Sequence, residues 1–232
     1  MQRISTKKLT ALLLTTAMPF ATTAGAQDAS GVIELEEIRV EAADAQTLLG
    51  NDEITEDEIK ARNPSSTKDV FVGESAITTG GGAAIAQKVY VNGIEESLLS
   101  DTIDGARQNK SAFHHTGNVL LDPELLKRVE VSKGLAPADA GAGAVAGSIA
   151  YETKDARDLL EAGDTFGGRL RLSTDSNANS QDGSLTIYGI NGGFEYVLSH
   201  TRRSSDDYED GDGVVVLGTR AELTDYVGKV AY

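Results

Sequence analysis

The chain has 232 residues, with 36 acidic and 21 basic side chains and a formal net charge of −15 at neutral pH. This acidity argues against nucleic acid as a partner, because binding phosphates requires a basic surface. The absence of cysteine excludes a disulfide framework and thiolate metal sites. The length allows one large domain, or a small domain followed by part of another.

Residues 1–26 have the features of a secretory signal peptide. Basic residues precede an apolar stretch at 9–21, which is too short to span a bilayer as a helix. Ala24-Gly25-Ala26 then provides a small-residue cleavage site. We therefore expect export and removal of this segment; a buried N-terminal helix is the less favoured alternative.

Residues 27–50 contain little that could pack into a core. Within them, apolar and charged side chains alternate as in an extended strand. The segment with this alternation is Glu37, Ile38, Arg39, Val40, Glu41 and Ala42. A lone strand of this kind can pair with the open edge of another protein's sheet. Taken by itself, however, the segment favours a disordered linker.

The next part of the chain predicts a compact α+β unit. A short acidic helix is expected at 54–61, because Thr55 and Glu58 have the spacing of a capping box. A second short helix is expected after Ser66, with Asp69 in the equivalent position. Because both helices are short, strands must supply most of the core.

Residues 76–86 are predicted to be a loop, because they include three consecutive glycines. Strands are predicted at 88–94 and 98–105 from the alternation of apolar and polar residues. After them, His114 and His115 lie side by side in a polar, irregular stretch. Adjacent histidines rarely chelate one metal, because neighbouring strand residues point in different directions. A structural or exposed role is therefore favoured over contact with a ligand.

The segment from Leu121 to Thr153 predicts a short helix, a strand, a glycine-rich turn and a second strand. Asp122 is expected to cap the helix, and Val129 and Val131 alternate with polar residues as in a strand. The glycines lack the spacing of a dinucleotide-binding turn and precede a strand instead of a helix. No spacing in the chain selects a nucleophile–base pair or a metalloenzyme site. We therefore predict no catalytic residue, no metal and no cofactor.

The section from Phe166 to Tyr232 predicts about four strands of roughly ten residues each, separated by polar turns. Each strand is apolar on one face, and aromatic residues lie near strand ends. This pattern is the weak signature of a transmembrane β-barrel. Taken by themselves, the strands favour a soluble β-sheet.

The order of these segments resembles the N-terminal part of the TonB-dependent outer-membrane receptors. The segment 37–42 resembles the TonB box of that family, and Ile103–Gln108 resembles a plug motif that contains Asp-Gly. Asp122–Val131 and the glycines after it resemble the end of the plug. Asn92 departs from the arginine-glycine pair that the family usually has. Residues 106–131 are most similar to the FrpB-like iron-regulated receptors, which include ferric-enterobactin receptors.

The resemblance implies an α+β plug domain at 51–160, followed at 161–232 by the first antiparallel strands of a transmembrane β-barrel of about 22 strands. It implies a receptor in the outer membrane of a Gram-negative cell, in contact with outer-membrane lipid. TonB, with its inner-membrane energising complex, would be the protein partner. The cargo would be a ferric siderophore. Haem or another metal complex is the alternative within the family, and a secreted soluble α+β binding module is the alternative outside it.

Cargo contacts are expected on plug loops, because loops on a rigid scaffold usually carry recognition. The residues expected to contact cargo are Thr79, Gly80, Gly81, Gln108, Asn109, His114 and His115. Four strands cannot close a barrel, and open edges would leave unpaired backbone groups in lipid. We therefore expect the chain to be the first part of a longer protein, ending within a strand at Tyr232.

Overall fold

In the computed structural model of the chain, the described residues are 51–81, 83–108, 117, 119–134, 140, 144 and 146–232. They form an N-terminal unit (residues 51–160) and a C-terminal sheet (residues 166–231). The predicted signal peptide at 1–26 and the segment 37–42 lie outside the described residues.

Within its described residues, the N-terminal unit combines two sheets with three short helices. The helices are α1 (Glu56–Arg62), α2 (Thr67–Val70) and α3 (Ala156–Leu159). The strands are β1 (Asn51–Ile54), β2 (Ile77–Gly80), β3 (Lys88–Val91), β4 (Ile94–Glu95), β5 (Ser100–Ile103), β6 (Ala106–Arg107), β7 (Leu126–Lys133) and β8 (Gly147–Thr153). Single 3-10 turns lie at Ala84–Ala86, Glu96–Leu98 and Pro123–Leu125. None of the helices in the described ranges is long and apolar enough to span a membrane.

The larger sheet has the strand order β1-β7-β8-β5-β6, and the smaller sheet has the order β2-β3-β4. Strands β5 and β8 run parallel, whereas the other pairs among the described strands are antiparallel. One hydrophobic core lies between these sheets and the first two helices. Its most deeply buried side chains are Ile54, Val70, Val89, Val91, Leu99, Val129, Val131 and Ile149. Full burial of such a side chain contributes about 1.5–3 kcal/mol.

The start and end of α1 follow from its sequence. The Thr55 hydroxyl accepts a hydrogen bond from the backbone N–H of Glu58 over 3.4 Å, and the Glu58 carboxylate accepts one from the backbone N–H of Thr55 over 2.8 Å. The helix ends at Asn63, whose φ of 45° lies in the left-handed region. Pro64 follows and cannot continue the helix. The predicted capping box is therefore confirmed.

Two strand predictions are corrected. Part of the predicted loop at 76–86 is β2, whose four residues pair with β3; the glycine run obscured this short threonine-containing strand. The predicted strand at 88–94 is a hairpin of β3 and β4, because Asn92 and Gly93 adopt φ values of 51° and 79° and make a tight turn.

The described residues after Leu121 keep the predicted order of strands with one change, and most of the predicted glycine-rich turn lies outside the described residues. The predicted helix is a single 3-10 turn, in which the Asp122 carboxylate accepts a hydrogen bond from the backbone N–H of Glu124 over 3.1 Å. Strand β7 begins directly afterwards, at Leu126, because the alternation of buried and exposed residues starts there. The capping role of Asp122 is confirmed.

The C-terminal sheet consists of four antiparallel strands in sequence order, as predicted. They are β9 (Phe166–Asp175), β10 (Ser180–Asn191), β11 (Phe194–Ser205) and β12 (Ala221–Ala231). The sheet is open, since β9 and β12 each pair with one neighbour. Gly192 and Gly193 make a tight turn between β10 and β11, whereas β11 and β12 are joined by a long connection at 206–220.

The two faces of the C-terminal sheet differ in polarity. The outer face exposes apolar side chains, namely Leu170, Leu172, Leu185, Ile187, Leu198, Tyr226 and Val230. The inner face carries buried hydroxyl groups from Ser184, Thr186, Ser199 and Thr201. A soluble sheet would bury its apolar face, whereas the strands of a transmembrane barrel turn it towards lipid. The arrangement therefore argues against the secreted soluble module that the sequence left open.

Candidate functional site

Charged side chains join the N-terminal unit to the inner face of the C-terminal sheet. One group, the arginine cluster, contains Asp122, Glu124, Arg169, Arg171 and Arg203. Arg203 Nη2 lies 3.4 Å from Asp122 Oδ1, and Glu124 lies 3.7 Å from Arg171 Nη1 and 3.9 Å from Arg169 Nε. The sheet supplies the cations and the unit supplies the carboxylates, so the cluster attracts one to the other.

Arg171 also reaches the end of α1. Its Nη2 donates to the side-chain oxygen of Asn63 over 3.2 Å, and its Nη1 donates to the backbone carbonyl of Pro64 over 3.3 Å. The planar guanidinium, with its five donors, can serve these acceptors and Glu124 together. A single side chain of the sheet therefore holds the junction between α1 and α2.

Lys154 connects the same cluster to the start of α1. Its Nζ donates to the backbone carbonyl of Glu124 over 2.9 Å and lies 3.6 Å from the carboxylate of Glu56. Burial of this side chain lowers the pKa of Lys154, and the nearby Glu56 carboxylate only partly offsets that effect. Both ends of α1 are thus tied to the turn that carries Glu124.

A second group, the lysine cluster, contains Lys229, Asp104, Thr153 and Asp155. Lys229 Nζ lies 2.8 Å from Asp155 Oδ1 and 3.5 Å from Asp104 Oδ2, and it donates to the carbonyl of Thr153 over 3.1 Å. The Asp104 carboxylate also accepts from the backbone N–H of Thr153 over 2.8 Å. Asp104 belongs to the Asp-Gly segment that the sequence singled out, so this motif joins two strands of the unit and also binds the sheet.

The ion pairs between the unit and the sheet differ in how much they contribute to stability. Exposed pairs such as Arg157–Glu195, where the Arg157 side chain is 70% exposed, contribute about 0–1 kcal/mol because water screens them. The pair between Asp122 and Arg203 is largely buried, with side-chain exposures of 4% and 16%. Breaking a buried pair by removing one partner costs about 3–5 kcal/mol, since an uncompensated charge remains.

Cavities lie along the seam between the unit and the sheet. An upper cavity of about 480 Å³ is lined by Gly81 and Ala83 of the unit and by Asn177, Tyr208 and Thr219 of the sheet's connections. A middle cavity of about 320 Å³ lies between the Ser65–Asp69 segment and β9 to β12. A lower cavity of about 10 Å³ is bounded by the arginine cluster. From the upper cavity to the arginine cluster, the space between the unit and the sheet therefore narrows.

The wall of the middle cavity is stiffened by Asp69. Its Oδ2 accepts hydrogen bonds from the backbone N–H and hydroxyl of Ser65 over 3.1 and 2.9 Å. It also accepts from both groups of Ser66 over 3.0 Å. Burial raises the pKa of Asp69, but these four donors outweigh it and hold the pKa below its ordinary value.

The residues expected to contact cargo fall in different places. Gly81 lines the upper cavity, whereas Thr79 and Gly80 lie in β2, where a Cβ added at Gly80 would lie 3.1 Å from the ring of Tyr90. Gln108 follows β6, and its side chain donates to the carbonyl of Ala106 over 2.9 Å. Three further expected contacts, Asn109, His114 and His115, lie outside the described residues. Among the described residues, no group of three or more acidic or histidine side chains is arranged to hold a metal.

The sequence did not predict the inward cations of the sheet. Arg169, Arg171, Arg203 and Lys229 each lie at a polar position of an amphipathic strand, where a charge usually indicates contact with water. The sequence could have indicated these contacts through two features. The four cations lie at positions on the inner face of the sheet, and the unit opposite them has more carboxylates than cations. Local spacing gave no indication of which carboxylates they bind.

Residues 44–148 match the family model described as TonB-dependent Receptor Plug Domain. The structure is similar to that of the FrpB iron transporter from Neisseria meningitidis, with a TM-score of 0.67 and 29% sequence identity. That similarity covers 76% of this chain and 28% of the transporter. The chain contains the plug domain of the TonB-dependent receptors. Its N-terminal unit contains the plug fold, and its C-terminal sheet corresponds to the first strands of the barrel in this family.

Curated relatives of this chain are named for haem. The heme transporter BhuA of Brucella ovis is 39% identical over 183 residues, which cover 79% of this chain and 28% of that protein. The hemin receptor of Yersinia pestis is 32% identical over 135 residues, covering 58% of this chain and 20% of that receptor. The chain therefore spans about a quarter of the length of these relatives. They are named as transporters or receptors and not as enzymes.

Proposed function

We propose that the protein is an outer-membrane receptor for the TonB-dependent uptake of haem. The observation that carries this proposal is the pairing of an apolar outer face on the C-terminal sheet with a polar inner face to which the plug is bound by charge. The likeness to BhuA over most of the chain supports haem as the cargo. The signal peptide at 1–26, the plug at 51–160 and the barrel strands at 161–232 are parts of this proposal.

The mechanism is transport without chemistry on the cargo. Cargo arrives at the end of the sheet with the long connection, where Gly81 and Ala83 line the upper cavity. Cargo binding releases the segment 37–42 to the periplasm in this proposal, and TonB adds a strand to it. TonB, energised by the inner-membrane complex, then displaces part of the plug. Because the segment precedes β1, the first of the described strands, a pull on it is transmitted along the chain to α1.

A ferric siderophore is the second candidate. It is supported by the structural likeness to FrpB, which is named an iron transporter, and by the similarity of residues 106–131 to the FrpB-like receptors. The adjacent histidines distinguish the two candidates, because imidazole is a common axial ligand of haem iron. We therefore assign His114 and His115 to haem contact in this proposal.

A spectral titration of the receptor produced from its own gene tests the cargo. Haemin should bind saturably and shift the haem absorption band, and the double substitution of His114 and His115 by alanine should abolish the shift. His200→Ala is the matched control, because the His200 ring stacks on Tyr226 at 4.6 Å on the outer face of the sheet. Saturable binding of a ferric catecholate without any haemin shift would overturn haem in favour of a siderophore.

A further inference from the structure

The upper, middle and lower cavities form a single row. The upper and middle cavities share Gln87, Asp175, Ser180 and Ser205 as lining residues. The middle and lower cavities share Ser65, Ser173, Asp182 and Arg203. No described residue lines both the upper and the lower cavity. The row therefore runs along β9 and β11, from their loop ends towards the arginine cluster.

The row narrows towards its inner end. Its successive volumes are about 480, 320 and 10 Å³, and the last has room for about one water molecule. Arg171, Asp122 and Thr201 line the lower cavity, and the Thr201 hydroxyl donates to Asp122 over 3.1 Å. The Nε of Arg203, which borders both inner cavities, has no hydrogen-bond partner among the described residues. The row is thus closed by polar contacts and not by packed apolar side chains.

The wide end faces outwards. In outer-membrane strands, short turns lie on the periplasmic side and long loops lie outside. The upper cavity is lined by Asp206, Tyr208 and Thr219 of the long connection and by Asn177 of the β9–β10 turn. The two-glycine turn between β10 and β11 lies at the opposite end of the sheet. A solute from outside therefore meets the upper cavity first.

The plug side of the row can move away from the sheet at the junction of α1 and α2. The middle cavity is bounded by Ser65, Ser66 and Asp69, which follow Pro64 directly. Arg171 holds Pro64 and Asn63 against the sheet. Loss of these two contacts frees the junction of α1 and α2 from β9, and movement of that junction widens the middle cavity.

We propose that this row of cavities is the entrance of the cargo route beside the plug, and that Arg171, Arg203 and Asp122 form the gate at its inner end. The inference depends on the proposed transport function and adds the location of the route. Serine and threonine hydroxyls line all three cavities, so a polar solute or its hydration water finds donors and acceptors along the row. The route opens when displacement of α1 withdraws Asn63 and Pro64 from Arg171.

Thiol labelling tests the gate. Residues 1–232 contain no cysteine, and cells that produce the receptor without an introduced cysteine give the background labelling. A single cysteine is introduced at Ser205, which lines the upper and middle cavities, or at Ser184, which lines the lower cavity. Intact cells that produce the receptor are treated with a charged, membrane-impermeant thiol reagent. Ser205→Cys should be labelled, and Ser184→Cys should react at least about tenfold more slowly because its thiol is shielded.

Removal of the gate should abolish this difference. In the Arg171→Gln and Arg203→Gln backgrounds, Ser184→Cys should be labelled nearly as fast as Ser205→Cys. Arg220→Gln is the matched control, because Arg220 is an exposed arginine that pairs only with Glu222 across 3.5 Å among the described ion pairs. Equal labelling of both cysteines in the unmodified receptor, or unchanged protection in both gate variants, would overturn the proposal.

Two further measurements keep the test decisive. Arg171→Lys retains the charge but not the planar fork that binds Asn63, Pro64 and Glu124, so it should open the gate without removing a cation. Labelling of Ser205→Cys in each background reports whether the receptor is assembled. The labelling needs no cargo. If the labelling contradicted the gate while haemin uptake was normal, the proposed transport function would still hold. A working gate without haemin binding would overturn the function instead.

Discussion

The hydroxyl of Thr201, on the inner face of the C-terminal sheet, donates a hydrogen bond over 3.1 Å to the carboxylate of Asp122 in the plug. Both side chains are buried, at 3% and 4% exposure. The same carboxylate caps the 3-10 turn and pairs with Arg203. One plug carboxylate thus serves the local structure and the attachment to the sheet.

Replacing Thr201 by valine should lower the free energy of unfolding by about 1.5–3 kcal/mol, because a hydrogen bond to a charged group is lost at constant shape. Thr224→Val is the control, since Thr224 lies on the exposed outer face of β12. Denaturant unfolding of the receptor in detergent measures both. In an Asp122→Ala background the effect of Thr201→Val should shrink, and equal effects in the two backgrounds would contradict a direct bond.

Gly147, the first residue of β8, occupies a position that requires glycine. Its φ of 133° is strained for other residues, and an added Cβ would overlap the carbonyl oxygen of Ser132. Gly147→Ala should therefore destabilise the plug by at least about 1–3 kcal/mol. Gly168→Ala provides the comparison, because its Cβ would make only ordinary contacts, the nearest at 3.6 Å from Thr186. Similar unfolding midpoints for the two variants would contradict this explanation.

The depressed pKa of Asp69 predicts a pH dependence. The ionised carboxylate binds four donors in the folded state, so its contribution is complete above the ordinary pKa of 3.8 and is lost as the pH falls through the lower folded value. At neutral pH, Asp69→Asn should unfold at a lower temperature than the unmodified receptor. The difference should shrink below pH 3.8. Asp164→Asn, in an exposed turn, should show no such trend, and a constant difference for Asp69→Asn would refute the assignment.

The polarity of the two sheet faces predicts a contrast between arginine substitutions. Leu185 faces outwards opposite Leu170 near the middle of β10. Leu185→Arg should cost about 2–4 kcal/mol in lipid, because a charge would enter the hydrocarbon region. Leu217→Arg should cost little, since Leu217 is 84% exposed in the long connection. Unfolding in lipid vesicles measures both, and equal costs would argue against a lipid-facing surface.

Much of the fold follows from local patterns. Alternation predicted the four strands of the sheet, and Thr55–Glu58 predicted the start of α1. Helix α3 was not predicted, although the Asp155–Asp158 spacing that begins it is a capping box. Strand β2 was missed because a glycine run outweighed four residues with weak alternation.

The site was harder to predict because its contacts are distant in sequence. Thr201 and Asp122 are 79 positions apart, and Arg171 lies 107 positions from Pro64. No periodicity within a window of ten or twenty residues (about the length over which patterns are informative) contains such pairs. The Asp-Gly motif could be recognised as a turn, but its bonds to Thr153 and Lys229 depend on the completed sheet.

Energised uptake of haemin iron is the decisive test of TonB-dependent transport by this protein. Cells that produce the receptor from its own gene are compared with cells whose receptor lacks residues 37–42 or carries Ile38→Pro, which prevents strand addition. Uptake should be lost in both variants and retained in Ile38→Val, while haemin binding at the cell surface stays unchanged in all of them. Normal uptake after the deletion would contradict the proposal that TonB acts through residues 37–42.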